Sequence, residues 1–140
     1  MDVPEKIAYT ARVTSTGGRA GHAVSADGSL DVILVDPRDD SGTGTTAEEL
    51  FAAAYSACFN DALSHVAHSV GLDCSGSTVT TTIRLGPHGE SSAFSVLVEV
   101  AVPGQDVATT QDLADRAHQI CPYSKALQGN VLVEVTAIEG

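Results

Sequence analysis

Thr45-Thr46-Ala47-Glu48-Glu49-Leu50-Phe51-Ala52-Ala53-Ala54-Tyr55-Ser56-Ala57-Cys58-Phe59-Asn60-Asp61-Ala62-Leu63-Ser64-His65-Val66-Ala67-His68-Ser69-Val70-Gly71 is the stretch on which the fold turns. Phe51, Tyr55, Phe59, Leu63 and Val66 recur at helical spacing, and the alanines between them leave almost every side apolar. Thr45 or Thr46 supplies a cap at the start, with Glu48 or Glu49 three residues on as the return partner. Gly71 supplies the stop, so the segment reads as a helix running to Val70. A chain of 140 residues can rarely surround a helix this apolar, and packing against a second copy is the expected remedy.

On the N-terminal side, Ile7, Tyr9, Ala11 and Val13 alternate with more polar residues, and Ala23 to Ser25, Asp27-Gly28 and Leu30 to Val35 have the pattern of a hairpin. About three antiparallel strands are predicted before the Asp-, Gly- and Thr-rich loop from Asp36-Pro37 to Gly44. On the C-terminal side three period-2 segments follow, Thr78 to Leu85, Ala93 to Val102 and Val131 to Ile138, with Gly86-Pro87-His88-Gly89 as the turn between the first two. Thr110 to Ile120 reads as a short helix capped by Thr109 or Thr110, which stops at Cys121 because the residue before a proline is pushed out of the helical region. The order implies a single α+β domain over residues 1–140 with antiparallel sheets and a long central helix.

Seven basic residues against eighteen acidic ones give a net charge of −11, which repels nucleic acid and anionic membrane. The N-terminus has neither the basic region nor the apolar run of a signal peptide, and no membrane-spanning stretch occurs, so a cytoplasmic location is expected. An odd count of three cysteines suits redox chemistry in a reducing compartment better than a structural disulfide framework.

Two of those cysteines have pointed surroundings. Cys58 lies mid-helix, where its competing reading is a small buried hydrophobe. Cys121 precedes Pro122 at the start of another short turn, where free backbone N–H groups favour a thiolate; an ordinary buried thiol is its alternative. A thiolate near neutral pH needs a positive charge to offset desolvation, and Arg19, following Gly17-Gly18, is the candidate cation, against the reading of a solvated arginine. Glu48 is the candidate carboxylate, with Glu49 competing for either the capping or the working role.

Along one straight helix Glu48 and Cys58 stand about 15 Å apart. Their midpoint is Ala53, so two copies crossing antiparallel there would bring Glu48 of one level with Cys58 of the other; a helix broken between Thr46 and Phe51 is the rival. His65 and His68 form an i, i+3 pair with Asp61 one turn earlier, a spacing that could ligate a metal, but no further strong ligand matches it; they read as surface or packing histidines, and no metal site is expected. His22, His88 and His118 belong to no constellation, and Cys74 reads as a bystander.

Taken together, Gly17-Gly18-Arg19, Ala23 to Val32, Glu48 to Phe59, Cys121-Pro122-Tyr123-Ser124 and Gly129-Asn130 resemble the organic hydroperoxide resistance proteins of the osmotically inducible protein C superfamily, over nearly the whole chain. The resemblance implies that Cys58 is the peroxidatic cysteine and Cys121 the resolving one, that Arg19 is the cation beside the thiolate, and that Glu48 holds the arginine. It implies an intertwined homodimer, no bound cofactor, and reduction by an external dithiol, dihydrolipoamide or a lipoylated protein. Thr46-Ala47-Glu48-Glu49 departs from the usual Asn-Pro-Glu-Gln. An apolar wall of Phe51, Tyr55 and Phe59 would favour bulky organic or lipid hydroperoxides. The alternatives are a redox sensor that cycles once and a dimeric carrier of apolar ligands.

Overall fold

The computed structural model describes residues 1–40 and 42–140, which form six strands and three α-helices. The long apolar segment is α1, Ala47–Ser69. Because it starts at Ala47, Thr46 takes the N-cap position and Glu49 the third helical position where a capping-box partner belongs, which leaves Glu48 outside that role. At the other end the Leu72 N–H reaches Ala67 O and the Gly71 N–H reaches His68 O, with Gly71 at φ +72°. This paired closure needs a left-handed residue, which glycine adopts without penalty.

The chain divides into two units, Met1–Ala47 and Glu48–Gly140. In the first, β1 (Val13–Thr16), β2 (His22–Ser25) and β3 (Asp31–Ile33) form an antiparallel sheet in that order, with Thr16 opposite His22 and His22 opposite Ile33. The predicted hairpin over Asp27-Gly28 is present, but the alternating run at Ile7 and Tyr9 is not a strand; both side chains are exposed. Alternation shows only that a segment could present one apolar face, and a strand also needs a neighbour to bond.

In the second unit β4 (Thr78–His88) pairs antiparallel with β5 (Ser91–Ala101) from Thr78 opposite Ala101 to His88 opposite Ser91. The turn is therefore Gly89-Glu90, and Gly86 and Pro87 lie within β4, not in the turn. Proline is tolerated there because β4 is an edge of the sheet order β4-β5-β6. The last strand, β6 (Val133–Ala137), runs parallel to β5, with Val96 opposite Val133, so this sheet is mixed. A parallel return requires a crossover, and it is supplied by α2 (Val107–Ile120) and α3 (Pro122–Leu127). The cap of α2 is Asp106, not Thr109 or Thr110: its Oδ1 accepts from the Thr109 N–H at 2.7 Å. The edge of β6 is tied down by Gln111, whose Oε1 accepts from the Ala137 N–H and whose Nε2 donates to Val135 O.

Val96, Val98, Val100 and Val102, at every second position, are fully buried with Tyr55, Phe59 and Leu63 of α1 and Leu113, Ala114 and Ala117 of α2. The opposite side of α1, at Ala53, Ala54 and Ala57, is exposed, so the core of the second unit covers one face of a helix that is apolar on more than one. Leu63→Ala is expected to destabilise the fold by about 2–5 kcal/mol, the transfer loss plus the cavity left in a packed core. Equilibrium urea unfolding checks this, read as a lower midpoint at unchanged slope; a midpoint equal to wild type would show that this core is not packed around Leu63.

Candidate active site

The buried stripe of α2, Thr110, Leu113, Ala114 and Ala117, continues at helical spacing to Cys121, which is fully buried. Pro122 forces Cys121 out of the helix, to φ −62° and ψ 121°, and α3 begins at once with Pro122 at its first position. Cys121 is thus the hinge between two helices, and its side chain is directed at α1. There its Sγ stands 3.7 Å from the Sγ of Cys58, in thiol hydrogen-bond contact. Cys58 is half-buried, and neither sulfur is in a disulfide.

Burial is the largest influence on Cys58 and pushes its thiol up from the ordinary range; the adjoining Cys121 and the carboxylate of Asp61 push the same way. The Tyr123 N–H opposes them by hydrogen-bonding the sulfur. On sequence alone the free amides at the start of α3 belong to Cys121, and mid-helix Cys58 has no helix terminus. In the structure, one of those amides serves Cys58, reaching it from another helix.

Next to the thiols lies a polar chain that sequence reasoning missed, buried at Tyr55 and Ser124 and half-buried at His118. Tyr55 Oη and Ser124 Oγ are 2.7 Å apart, and Ser124 Oγ lies 2.8 Å from His118 Nδ1. Tyr55 is fully buried and Ser124 is 2% exposed. His118, assigned to no constellation from sequence, is therefore part of one. Its ring lies 6.5 Å from that of Phe59, and it faces a small polar recess shared with Gln119, Ser124 and Gln128. The only sequence signal was position: His118 and Ser124 each lie three residues from Cys121, on either side. Burial pushes the phenol of Tyr55 up, the Ser124 hydrogen bond opposing.

Of the three side chains expected to form an apolar wall, Tyr55 and Phe59 are fully buried core residues, while Phe51 is half-buried. Phe51 packs edge-on against Phe94 at 5.4 Å and against Tyr55 at 6.2 Å. Glu48, in the first turn of α1, has its Oε2 withdrawn from solvent. In the first unit, Arg19 is exposed at the centre of the 3₁₀ turn Gly18–Ala20. Gly17 before it has φ +80° and Gly18 φ +62°, a backbone path suited to glycine that presents the arginine between β1 and β2. Its charge adds to the hydrogen bonds from Arg38 that hold Asp36 well below the usual carboxylate range. Cys74 Sγ donates to Ser64 Oγ at 3.5 Å, away from the thiol pair. Among the described residues no group of three or more His, Cys, Asp or Glu side chains is placed to hold a metal ion, and no helix is long and apolar enough to cross a membrane.

Residues 39–136 match the family model of OsmC-like proteins. The organic hydroperoxide resistance protein of Xanthomonas axonopodis pv. citri (strain 306) is 44% identical over 140 residues, covering 97% of this chain and 99% of its own. The OhrB protein of Bacillus subtilis (strain 168), also an organic hydroperoxide resistance protein, is 41% identical over 131 residues, 91% of this chain and 96% of its own. The crystal structure of Bacillus subtilis OhrB superposes with a TM-score of 0.87 at 40% identity, over 93% of this chain and 98% of that one. A Vibrio cholerae protein solved with captopril bound in one of its active sites gives a TM-score of 0.89 at 34% identity, over 98% of this chain and 96% of that one. The chain belongs to the OsmC-like family and, within it, to the organic hydroperoxide resistance proteins.

Proposed function

We propose that the chain is a thiol-dependent peroxidase that reduces organic hydroperoxides, those of lipids included, to alcohols in defence against oxidative stress. The observation that supports this most is the 3.7 Å approach of Cys121 to Cys58, which holds a thiol on α1 and a thiol at the α2–α3 hinge within reach of a disulfide. The Cys58 thiolate takes the outer oxygen of the peroxide; the O–O bond breaks, and the inner oxygen takes a proton and leaves as the alcohol. Cys58 is then a sulfenic acid. Cys121 attacks its sulfur, the S–S bond forms, and the hydroxyl leaves as water with the Cys121 proton. An S–S bond of about 2.05 Å requires the sulfurs to close by roughly 1.7 Å. An external dithiol, dihydrolipoamide or a lipoylated protein by family likeness, returns both thiols, and no bound cofactor is required.

Arg19 is proposed as the cation that stabilises the Cys58 thiolate and hydrogen-bonds the peroxide oxygens, with Glu48 orienting it. Phe51 is the proposed apolar contact for the substrate, with Tyr55 and Phe59 supporting it from the core. A cytoplasmic location is also proposed, supported by the odd count of three cysteines, which suits a reducing compartment. Steady-state consumption of cumene hydroperoxide with dihydrolipoamide tests the reading: an enzyme turns over many times, a redox sensor consumes about one equivalent, and a carrier consumes none.

The active form is proposed to be a homodimer, supported by the exposed alanines of α1 and by exposed Ile7 and Tyr9. Ala53→Phe is expected to overpack a helix crossing there, weakening the dimer by about 1–3 kcal/mol in sedimentation and lowering activity with it. Mixing Cys58→Ser with Glu48→Ala chains asks whether the site is shared between copies. Turnover per intact Cys58 that rises in heterodimers above that of Glu48→Ala alone supports a shared site, whereas heterodimers with no rise would argue for Glu48 and Cys58 of one chain acting together.

A further inference from the structure

We propose that His118 is a positioning residue for the disulfide-forming step: through Ser124 it fixes the first turn of α3, which delivers the Cys121 sulfur and the Tyr123 N–H to Cys58. This rests on the peroxidase reading. Three helices meet at one hydroxyl, for Ser124 of α3 touches Tyr55 of α1 at 2.7 Å and His118 of α2 at 2.8 Å. A serine hydroxyl has one proton to give. With His118 neutral and Nδ1 accepting, Tyr55 donates to Ser124 and Ser124 donates to His118, so each proton in the chain has an acceptor. Burial pushes the His118 imidazolium down, Asp115 opposing, which keeps Nδ1 free to accept near neutral pH.

The location of this node gives it a role in the chemistry. Ser124 lies on the same helical turn as Cys121, whose own side chain makes no capping hydrogen bond to α3. The sulfurs must still close on one another after Cys58 is oxidised, so the first turn of α3 has to move a defined short way and no further. With the histidine acceptor gone, the Ser124 proton turns elsewhere, α3 is held at one partner fewer, and Cys121 spends less time aligned with the sulfenic sulfur. His118 contacts neither sulfur, and the Cys58 thiolate keeps the cation proposed for it, so the preceding attack on peroxide depends on His118 only through the single Tyr123 hydrogen bond and changes little.

Rapid-quench mass spectrometry of the full-length, pre-reduced protein with cumene hydroperoxide tests this by timing sulfenic acid and disulfide formation separately and measuring the sulfinic acid left at excess peroxide. His118→Phe keeps a flat ring and loses the acceptor; it should form sulfenic acid within about twofold of wild type but form disulfide about tenfold more slowly, with more sulfinic acid, since small misplacements of reacting groups cost about that much or more. His118→Asn, whose amide oxygen can accept from Ser124, should recover most of the disulfide rate. Ser124→Ala removes the node from the other side and should match His118→Phe; it serves as the test if His118→Phe does not fold. Disulfide formation at the wild-type rate in these variants, equal slowing of both steps, or failure of His118→Asn to recover would overturn the assignment. A wild type that forms neither sulfenic acid nor disulfide would bring down the peroxidase reading as well, whereas a wild type that cycles alongside unaffected variants would bring down this inference alone.

Discussion

Cys58→Ser is expected to abolish turnover of organic hydroperoxide, while Cys121→Ser is expected to consume about one equivalent in reaching the sulfenic acid, and a further one only where excess peroxide overoxidises it, without cycling. The two losses differ because the thiols stand on opposite sides of one bond-forming step. A serine at position 58 has no thiolate to attack the O–O bond, and Cys74, in contact with Ser64, is not in the thiol pair and offers no substitute. A serine at 121 leaves that first attack intact but removes the sulfur 3.7 Å away, so the sulfenic acid persists and excess peroxide drives it to sulfinic acid. Dimedone trapping followed by intact-mass measurement separates the outcomes: one adduct on the Cys121 variant, none on the Cys58 variant. Full turnover by Cys58→Ser would remove that residue from the chemistry.

The parts of the fold that sequence conveyed well are those carried by one segment. Residues 45–71 combined period, cap and stop, and α1 at Ala47–Ser69 follows from them. What depends on two segments was less legible. Nothing in the alternation of Val133, Val135 and Ala137 says whether the strand runs with or against β5, and the parallel pairing comes from where α2 and α3 deliver the chain. Gly86-Pro87 has turn composition, yet the register of β4 on β5 carries the hairpin on to Gly89-Glu90. The same division holds at the site. Cys58 and Cys121 stood out because each carries its own chemistry, whereas Ser124 and His118 are ordinary residues until α1 lays Tyr55 beside them. The helix amide that reaches Cys58 belongs to α3, and no inspection of α1 alone could supply it.

Arg19→Ala is expected to raise the apparent pKa of Cys58 by about 1–3 units, the usual effect of removing an adjacent opposite charge. Within Glu48–Gly140, burial, Cys121 and Asp61 all push the Cys58 thiol up, and the Tyr123 N–H is a single opposing hydrogen bond, so a thiolate at neutral pH needs a cation, the role proposed for Arg19. Two effects then compete in the variant. The thiolate fraction falls by up to about tenfold per unit once the pKa lies above the pH, while each remaining thiolate becomes more nucleophilic with a Brønsted slope of about 0.4–0.5, which leaves a net loss of up to roughly 60-fold at neutral pH. The signs reverse at high pH: once both proteins are fully ionised, the variant thiolate is the more basic and should react as fast or faster with a neutral electrophile. Glu48→Ala should shift the profile less, because losing the arginine's orientation raises the pKa while losing a nearby negative charge lowers it. Iodoacetamide alkylation of Cys58 from pH 5 to 11 reads all of this from one curve, since that range spans the ordinary thiol value of about 8.5. Identical profiles for Arg19→Ala and wild type would take the arginine out of the mechanism and leave the Tyr123 amide as the stabiliser of the thiolate.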